Sequence, residues 1–382
     1  MAKTLMSAKR ILFYVQHLLG IGHIARASRI ADALAKDGFD VTIVTGGLPV
    51  SGFPGDGVKT VALPAVVASN AGFSGLADAD GNVAGEEFLS RRRDLLLAAF
   101  QEAKPDAVII EAFPFGRRQM RFELLPLLDM IEKTDPRPKL FTSVRDILQE
   151  NRKPGRDEET VDLVKRHFDA VLIHGDPDFV RLEDTFRLTA EIADKVHYTG
   201  LVAAAPAAEP AEIFDIIASA GGGAVGLDLI RAARDAAAML PESHRWLLVT
   251  GPNLPEADFI GLSRNAPANI RLTRFRKDFP SLLRGAKVSI SQAGYNTIGD
   301  LLHADCCSIL IPFVAGGETE QTVRAERLQA MGLATILPEQ GLTAEHVAAA
   351  VESALAAPAR KEVALDLTGA GTTASIIRSM LG

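Results

Sequence analysis

The side chains best suited to chemistry in this sequence of 382 residues follow short apolar runs, and the first lie in the segment Gly20-Ile21-Gly22-His23. Gly20 and Gly22 would let a ligand approach the backbone closely, and a helix that begins here offers unpaired N–H groups. His23 falls in the first turn of that helix, and a neutral imidazole can accept a proton from a hydroxyl group near pH 7. We therefore predict a general base at His23. A histidine with only a structural hydrogen bond is the alternative.

A second segment, residues 219–223, is rich in glycine and follows a predicted strand. Gly222 and Gly223 could form a cradle of backbone N–H groups for a phosphate, although a tight turn would also use glycines there. The first segment lacks the third glycine of the dinucleotide fingerprint, and no acid ends the second predicted strand. A nicotinamide cofactor is therefore disfavoured.

A third segment, residues 289–300, ends a predicted strand near Gly294. Asn296 or Thr297 would begin the next helix, whose N–H groups and dipole could stabilise a diphosphate leaving group without a metal ion. Asp300 lies about one turn further on, where its carboxylate could accept hydrogen bonds from ribose hydroxyls. An acid that merely complements the helix dipole is the alternative.

Polar side chains also follow the next predicted strand. Glu318, Glu320 and Gln321 open a helix, and carboxylate and amide groups suit the hydroxyls of a sugar. Glutamate is common at helix starts for purely structural reasons, so that interpretation stays open.

The first half of the chain carries charged groups at the ends of two predicted strands. Glu111 ends one strand and would point to the rim of a cleft, and Arg145 and Asp146 end the next. Together with Arg117 and Arg118 they could hold an acceptor that bears a carboxylate or a phosphate. An Arg–Asp pair that ties loops together is an equally good interpretation.

Buried runs that alternate with helical segments predict parallel sheets with helices on both faces. The alternation stops in an alanine- and proline-rich stretch and then restarts, so the chain is predicted to hold two domains. We predict an α/β fold of two Rossmann-like doubly wound domains that face each other across a cleft. The predicted parts are a first domain over 1–200, a linker over 201–211, a second domain over 212–365, and a C-terminal helix over 366–382 that packs back on the first domain.

Composition narrows the partners. The 41 Lys and Arg residues against 48 Asp and Glu give a net charge of −7, which does not suit nucleic acid. The basic run 91–93 is interpreted as a solvated helix face.

Cys306 and Cys307 are predicted to be buried strand residues in a reducing compartment, and the absence of a signal-like or spanning segment predicts a cytoplasmic protein. Phe113 and Phe115 could meet an anionic membrane surface if the acceptor is lipid-linked, or pack inside a loop.

The segment 289–332, with "SQAGYNTIGDLL", "IPF" and "ETEQTVRAERLQAMG", resembles the donor-binding half of family 28-type glycosyltransferases of the GT-B fold. "GIGHIARASRIADAL" and "SAGGGAVG" extend the resemblance. The strings "EAFPFGRRQMRFELLPLLD" and "SVRDIL" resemble a subgroup of bacterial predicted glycosyltransferases and imply a different acceptor from that of the peptidoglycan enzyme of the family. The resemblance implies a role for each of these groups: Phe275 beside the base, Gly222 and Gly223 near the phosphates, Gly294, Asn296 and Thr297 on the diphosphate, Asp300 on the ribose, Glu320 and Gln321 on the donor sugar, and His23 at the active site.

We therefore expect transfer of a sugar from a nucleotide-diphosphate sugar, most simply a UDP-sugar, to an acceptor hydroxyl. The expected reaction is inverting and needs no cofactor or metal ion, and its acceptor is a small molecule, a glycan or a lipid-linked sugar of the cell envelope. A sugar-nucleotide epimerase of the same fold, or a sugar-nucleotide-binding protein without catalysis, is the alternative.

Overall fold

The first 203 residues and the C-terminal segment Leu365–Gly382 form one unit, and a second unit begins at Ala204 and runs to Ala364. The computed structural model describes residues 8–18, 21–55, 57–68, 75–149, 153–221, 226–264, 266–315, 318–357 and 365–382. Gly20, Gly222 and Gly223 lie outside the described residues.

Within its described residues, the first unit contains a seven-stranded parallel sheet in the order β3-β2-β1-β6-β7-β8-β9. Its strands are β1 (Arg10–Val15), β2 (Asp40–Thr45), β3 (Lys59–Ala62), β6 (Ala107–Glu111), β7 (Lys139–Arg145), β8 (Ala170–His174) and β9 (Val196–Tyr198). A short antiparallel pair, β4 (Val67–Ala68) and β5 (Leu76–Ala77), lies between β3 and the next helix. The strand order reverses between β1 and β6, which is where doubly wound sheets bind ligands.

Helices cover both faces of this sheet. The side chains of a strand alternate between the two faces, and here the side chains on each face are apolar and need to be buried. Along β1, Ile11 and Phe13 pack on one side, and Leu12 and Tyr14 pack on the other. The first side holds α1 (Gly22–Lys36) and α11 (Gly369–Leu381), and the second holds α2 (Glu86–Ala103) and α3 (Arg121–Glu132), while α4 (Arg156–His167) covers β7 and β8. The C-terminal helix α11 therefore packs on α1 inside the first unit.

The second side of the sheet contains a buried charged network. Arg92 of α2 is 0% exposed, and its Nε donates to Glu123 of α3 at 2.8 Å. Arg92 also donates to Gln16 at 2.6 Å and to the carbonyl of Gly46 at 2.9 Å, and Tyr14 donates to Glu123 at 2.5 Å. The prediction of a solvated face over 91–93 is wrong at its central residue, because a matched carboxylate and several carbonyls satisfy the buried guanidinium.

The second unit contains a six-stranded parallel sheet in the order β12-β11-β10-β13-β14-β15. Its strands are β10 (Ile216–Ser219), β11 (Trp246–Val249), β12 (Ile270–Thr273), β13 (Val288–Ser291), β14 (Cys307–Leu310) and β15 (Ala334–Ile336). Its helices are α5 (Leu227–Ala237), α6 (Glu256–Arg264), α7 (Phe279–Arg284), α8 (Tyr295–Ala304), α9 (Glu320–Ala330) and α10 (Ala344–Ala356). Here the order reverses between β10 and β13, so both predicted phosphate segments follow the two central strands.

The stretch predicted as a linker is divided between the units. Leu201 and Val202 are each 1% exposed and belong to the first unit. Val202 pairs with Thr368, and Leu201 N–H donates to the carbonyl of Asp366, so the chain returns to the first unit beside the point where it left. In the described parts of the chain, no helix is both long and apolar enough to cross a membrane.

Candidate functional site

A histidine–carboxylate pair, in which the histidine is partly exposed and the carboxylate is buried, lies at the strand-order reversal of the first unit. His23 stands in the first turn of α1, and Glu111 is the last residue of β6, the strand beside β1. His23 Nδ1 lies 2.7 Å from Glu111 Oε1. The carboxylate can only accept, so Nδ1 carries the proton and Nε2 keeps its lone pair. The expectation that Glu111 points to a rim is wrong, because its side chain is 0% exposed.

Arg26, one turn after His23 on α1, contacts the same carboxylate oxygen of Glu111. Its side chain is 2% exposed, so this is a buried ion pair. Glu111 Oε2 is buried and has no hydrogen-bond partner within the described part of the chain. Arg26 supplies the charge that lets a carboxylate remain ionised in this position.

The electrostatics keep the imidazole neutral. Burial, reinforced by the charges of Arg117 and Arg145, lowers the pKa of His23 to about 3. Burial alone would raise the pKa of Glu111, but His23, Arg26 and Arg117 hold it well below its usual range. At pH 7 the site therefore holds an ionised glutamate and a neutral histidine, which is the protonation state that a general base requires.

Two arginines lie close enough to act on His23. Arg145 ends β7, next to Glu111 in the sheet, and Arg117 lies in the loop after β6. Arg117 has a left-handed backbone with φ of +56°, and its Nε donates to the carbonyl of Gln16 at 2.9 Å. That bond ties the loop after β6 to the chain that leaves β1.

Other residues predicted for the acceptor side make contacts within the protein. Asp146 is 0% exposed, and its Oδ1 accepts the backbone N–H of Ile147 at 2.9 Å. Arg118 is ion-paired with Glu159 of α4, as in the alternative of a pair that ties elements together. Gly22 is the first residue of α1.

The two aromatic residues considered for membrane contact are packed inside the first unit. Phe113 is 1% exposed, and the ring of Phe115 lies edge-on to Phe186 with centroids 5.2 Å apart. A membrane surface would need these rings exposed, so the packed-loop alternative is the correct one.

In the second unit, the predicted diphosphate segment lies at the strand-order reversal. Ser219 of β10 and Ser291 of β13 are register partners, so the loops that follow them are adjacent. Gly294 is the N-cap of α8, which begins at Tyr295, one residue before the earlier predicted start. Gly294 has no side chain with which to cap this helix, and the first turn holds no acid, so the helix supplies no negative charge of its own at its N-terminus.

The predicted sugar residues begin α9. Gln321 Oε1 accepts the backbone N–H of Ala293 at 3.0 Å and that of Phe313 at 3.2 Å, so it joins the loops after β13 and β14. Glu320 is 3% exposed and ion-paired at 2.7 Å with Arg324, which is 0% exposed. Glu318 is half-buried and accepts the N–H of Glu320 at 2.7 Å. Glu320 is thus held by the fold, and Glu318 and Gln321 are the more accessible pair.

Phe275 and Asp300 differ in exposure. Phe275 follows the edge strand β12 and is 59% exposed. Asp300 lies in the second turn of α8 and lines a small cavity with Arg284 and His303. Asn296 and Thr297 are half-buried in the first turn.

Three functional candidates escaped the sequence reasoning. Arg26 was not singled out because an arginine on an amphipathic helix usually points to water. The pairing of Glu111 with His23 joins residues 88 positions apart. Of these, only Arg324 has a signal in the sequence, since it follows Glu320 at the i, i+4 spacing of helical ion pairs.

In the described ranges no three His, Cys, Asp or Glu side chains group closely enough to hold a metal ion.

Comparison with known proteins agrees with this architecture. Residues 217–369 match the glycosyltransferase family 28 C-terminal domain. Curated relatives carry the name UDP-N-acetylglucosamine–N-acetylmuramyl-(pentapeptide) pyrophosphoryl-undecaprenol N-acetylglucosamine transferase. The one from Thermotoga neapolitana is 26% identical over 179 residues, 46% of this chain and 50% of its own length. The one from Rhodospirillum centenum is 33% identical over 128 residues, 32% of this chain and 34% of its own. The chain thus matches half or less of the length of these relatives.

Solved structures match over nearly the whole chain. The calicheamicin glycosyltransferase CalG4 has a TM-score of 0.62 at 18% identity, covering 99% of this chain and 96% of that one. MurG of Acinetobacter baumannii has a TM-score of 0.60 at 17% identity, covering 97% and 100%. The chain has two α/β domains in series, each with a parallel sheet, and its structural neighbours are GT-B glycosyltransferases. Its fold is therefore of the GT-B class. The match to the glycosyltransferase family 28 model is confined to residues 217–369, which is less than half of the chain.

Proposed function

We propose that this protein transfers a sugar from a nucleotide-diphosphate sugar to an acceptor hydroxyl, with inversion at the anomeric carbon. The observation that carries the proposal is the pair of partly exposed His23 and buried Glu111, 2.7 Å apart at the edge of the first sheet where doubly wound folds bind ligands. The family 28 domain supports the donor half, since the curated relatives are named for UDP-N-acetylglucosamine. A UDP-sugar is therefore the proposed donor.

In this proposal His23 acts as the general base. Glu111 accepts a hydrogen bond from Nδ1–H, which fixes the tautomer and the ring orientation and leaves Nε2 for the acceptor hydroxyl. As the hydroxyl oxygen attacks the anomeric carbon, its proton passes to Nε2 and the bond to the nucleoside diphosphate breaks. Glu111 stabilises the imidazolium that results, as a carboxylate does in a catalytic triad.

The departing diphosphate gains one negative charge as the bond to the sugar breaks, in a place suited to receive it. The start of α8 follows a glycine at the N-cap and has no acid in its first turn, so its dipole favours a negative charge. Gly294 lets the phosphates approach, and Asn296 and Thr297 add donors from the same turn. We propose that this helix start replaces a metal ion and that the reaction needs no cofactor.

The remaining donor contacts follow from the order of the strands. Phe275 follows β12, three strand spacings or about 14 Å from the end of β13. An exposed ring at that distance can stack on the base while the diphosphate lies at α8, with Asp300 near the ribose. Glu318 and Gln321 would contact the sugar hydroxyls.

The curated relatives act on a pyrophosphoryl-undecaprenol, a lipid-linked acceptor. For this chain we propose an acceptor from cell-envelope or polysaccharide synthesis on the cytoplasmic side, in free or lipid-linked form. The first-unit residues around His23 decide which one.

The test is release of nucleoside diphosphate from a panel of UDP-, GDP- and TDP-sugars, with and without an acceptor mixture and with EDTA throughout. We expect turnover with a UDP-sugar only when acceptor is present, and a product of inverted anomeric configuration by NMR. His23→Ala should lower turnover by about 10²- to 10⁴-fold, while UDP affinity stays within about 3-fold of the wild-type value because the donor site lies in the other unit. The control His346→Ala changes an exposed histidine of α10.

The outcomes separate the alternatives. A sugar converted in the absence of acceptor would instead support an epimerase. Binding of UDP-sugars without any turnover would support a non-catalytic binding protein, and no binding to any donor would overturn the proposal.

A further inference from the structure

We propose that Arg117 and Arg145 form a binding site for an anionic group of the acceptor, a phosphate or a carboxylate, beside the hydroxyl that His23 activates. This inference rests on the proposed function and names the chemical class of its acceptor. It would exclude acceptors that are uncharged near the reacting hydroxyl.

The charge of Arg117 is not matched by the protein. Its Nε is engaged by the carbonyl of Gln16 at 2.9 Å, which fixes the guanidinium plane. Within the described residues no carboxylate lies within ion-pair distance of it, and the two terminal nitrogens have no protein acceptor there. Glu111, the nearby acid, already accepts from His23 and Arg26. A half-buried guanidinium held in place without a counter-charge is suited to a ligand anion.

Neighbouring arginines show the contrast. Arg118 and Arg121 share the carboxylate of Glu159, and Arg92 is paired with Glu123. These neighbouring arginines each have a carboxylate partner, and Arg117 has none among the described residues.

The backbone around Arg117 is held in an unfavourable conformation. Ala112, directly after Glu111, has φ of +63°, and Arg117 has φ of +56°, both in the left-handed region. The loop between them closes with a 2.6 Å bond from Gly116 N–H to the carbonyl of Ala112. Left-handed residues other than glycine cluster at functional sites, where the surroundings hold a side chain in a required position.

Arg145 brings a second positive charge to the same edge of the sheet. It ends β7, in register with His174, two residues beyond the partner of Glu111. Arg117 and Arg145 each depress the pKa of His23. A bound anion would cancel both effects and make His23 a stronger base, so the correct acceptor would itself raise the reactivity of the site.

The experiment measures anion binding without any donor. Inorganic phosphate and acetate are titrated into the full chain by calorimetry, and His23 is followed by NMR of histidine-labelled protein, assigned with His23→Gln. We expect phosphate or acetate to bind and to raise the pKa of His23, and the preferred anion identifies the acceptor group. Arg117→Met and Arg145→Met should each weaken binding by roughly 10- to 100-fold, the loss typical of a charge-assisted hydrogen bond. Arg117→Lys keeps the positive charge and should retain part of the anion affinity.

The matched control is Arg121→Met, which removes an arginine from the same segment that is already paired with Glu159. It should bind the anions as the wild type does. Equal affinity in the wild type and both methionine variants, or an unchanged pKa of His23 at saturating anion, would overturn the inference. Anion binding without sugar transfer would leave this inference in place and refute only the proposed function. Transfer to uncharged acceptors, with an acceptor KM that is the same in Arg117→Met as in the wild type, would leave the proposed function in place and refute this inference.

Discussion

Glu111 Oε1 accepts from both His23 and Arg26, two residues that lie one turn apart on the same helix, so one buried oxygen joins the predicted base to a permanent cation. This arrangement separates two tasks. Arg26 keeps the carboxylate ionised, and the carboxylate in turn orients the imidazole.

The first prediction concerns the coupling of Arg26 to Glu111. Arg26→Met leaves a buried carboxylate without its cation, and we expect the free energy of unfolding to fall by about 3 kcal/mol. Glu111→Gln keeps the acceptor oxygen and should lower turnover by about 10²-fold, because the imidazolium loses its counter-charge. The double variant should be destabilised by less than the sum of the two singles, as measured by urea denaturation.

The control for this cycle is the exposed pair of Lys59 and Asp40, whose side chains are 69% and 38% exposed. Its coupling free energy should stay below about 1 kcal/mol. Strict additivity of Arg26→Met and Glu111→Gln would show that the contact carries no energy.

The second prediction is the acid limb of the pH–rate profile. His23 must be neutral to accept a proton, and burial together with Arg117 lowers its pKa to about 3. The value of kcat/KM, which reports the free enzyme, should therefore stay level from pH 8 down to about 5 and fall only as the pH approaches 3. Arg117→Met should move this limb to higher pH. A limb at the ordinary histidine pKa of about 6.5 in the wild type would contradict the prediction.

The third prediction concerns stability and uses His174, which is not part of the proposed chemistry. His174 is fully buried between Ser143 Oγ at 2.7 Å and Thr199 Oγ1 at 2.9 Å, and burial lowers its pKa to about 3. Below pH 6.5 the unfolded chain binds a proton that the folded chain refuses, so stability falls as the pH falls. Between pH 7 and pH 5 this residue alone should remove about 2 kcal/mol.

Urea denaturation at the two pH values measures this loss. His174→Gln should reduce the pH dependence by about one proton, whereas the exposed His346→Gln should leave it unchanged. An identical pH dependence in His174→Gln and the wild type would mean that another group is responsible.

The fourth prediction tests the phosphate site at α8. A Cβ added at Gly294 would meet only Thr297 Oγ1, at 3.9 Å, and its backbone is in an ordinary extended conformation. Gly294→Val should therefore leave the fold intact but place methyl groups where the diphosphate must approach, weakening UDP binding by roughly 10-fold or more. Calorimetry with UDP measures this change. Gly261→Val, at a site with open space on α6, is the control and should bind UDP normally.

The sequence by itself determined the elements and their order. Apolar runs of β-branched residues and helical spacings predicted two parallel α/β domains, and the structure has a parallel sheet in each unit. Gly294 and His23 were likewise predicted from local signals, because a glycine before a helix and a histidine in a first turn are features of a few neighbouring residues.

Tertiary structure decided which polar groups meet. Nothing local to Arg92, Arg26 or Glu320 distinguishes a buried ion pair from a solvated side chain, since the partner lies on another element or its burial depends on one. The same reason explains why Glu111 was expected at a rim: the strand end was predicted correctly, but only the packing of α1 against β6 places His23 and Arg26 over its carboxylate. Periodicity fixes the face on which a residue lies, and long-range packing fixes what that residue contacts.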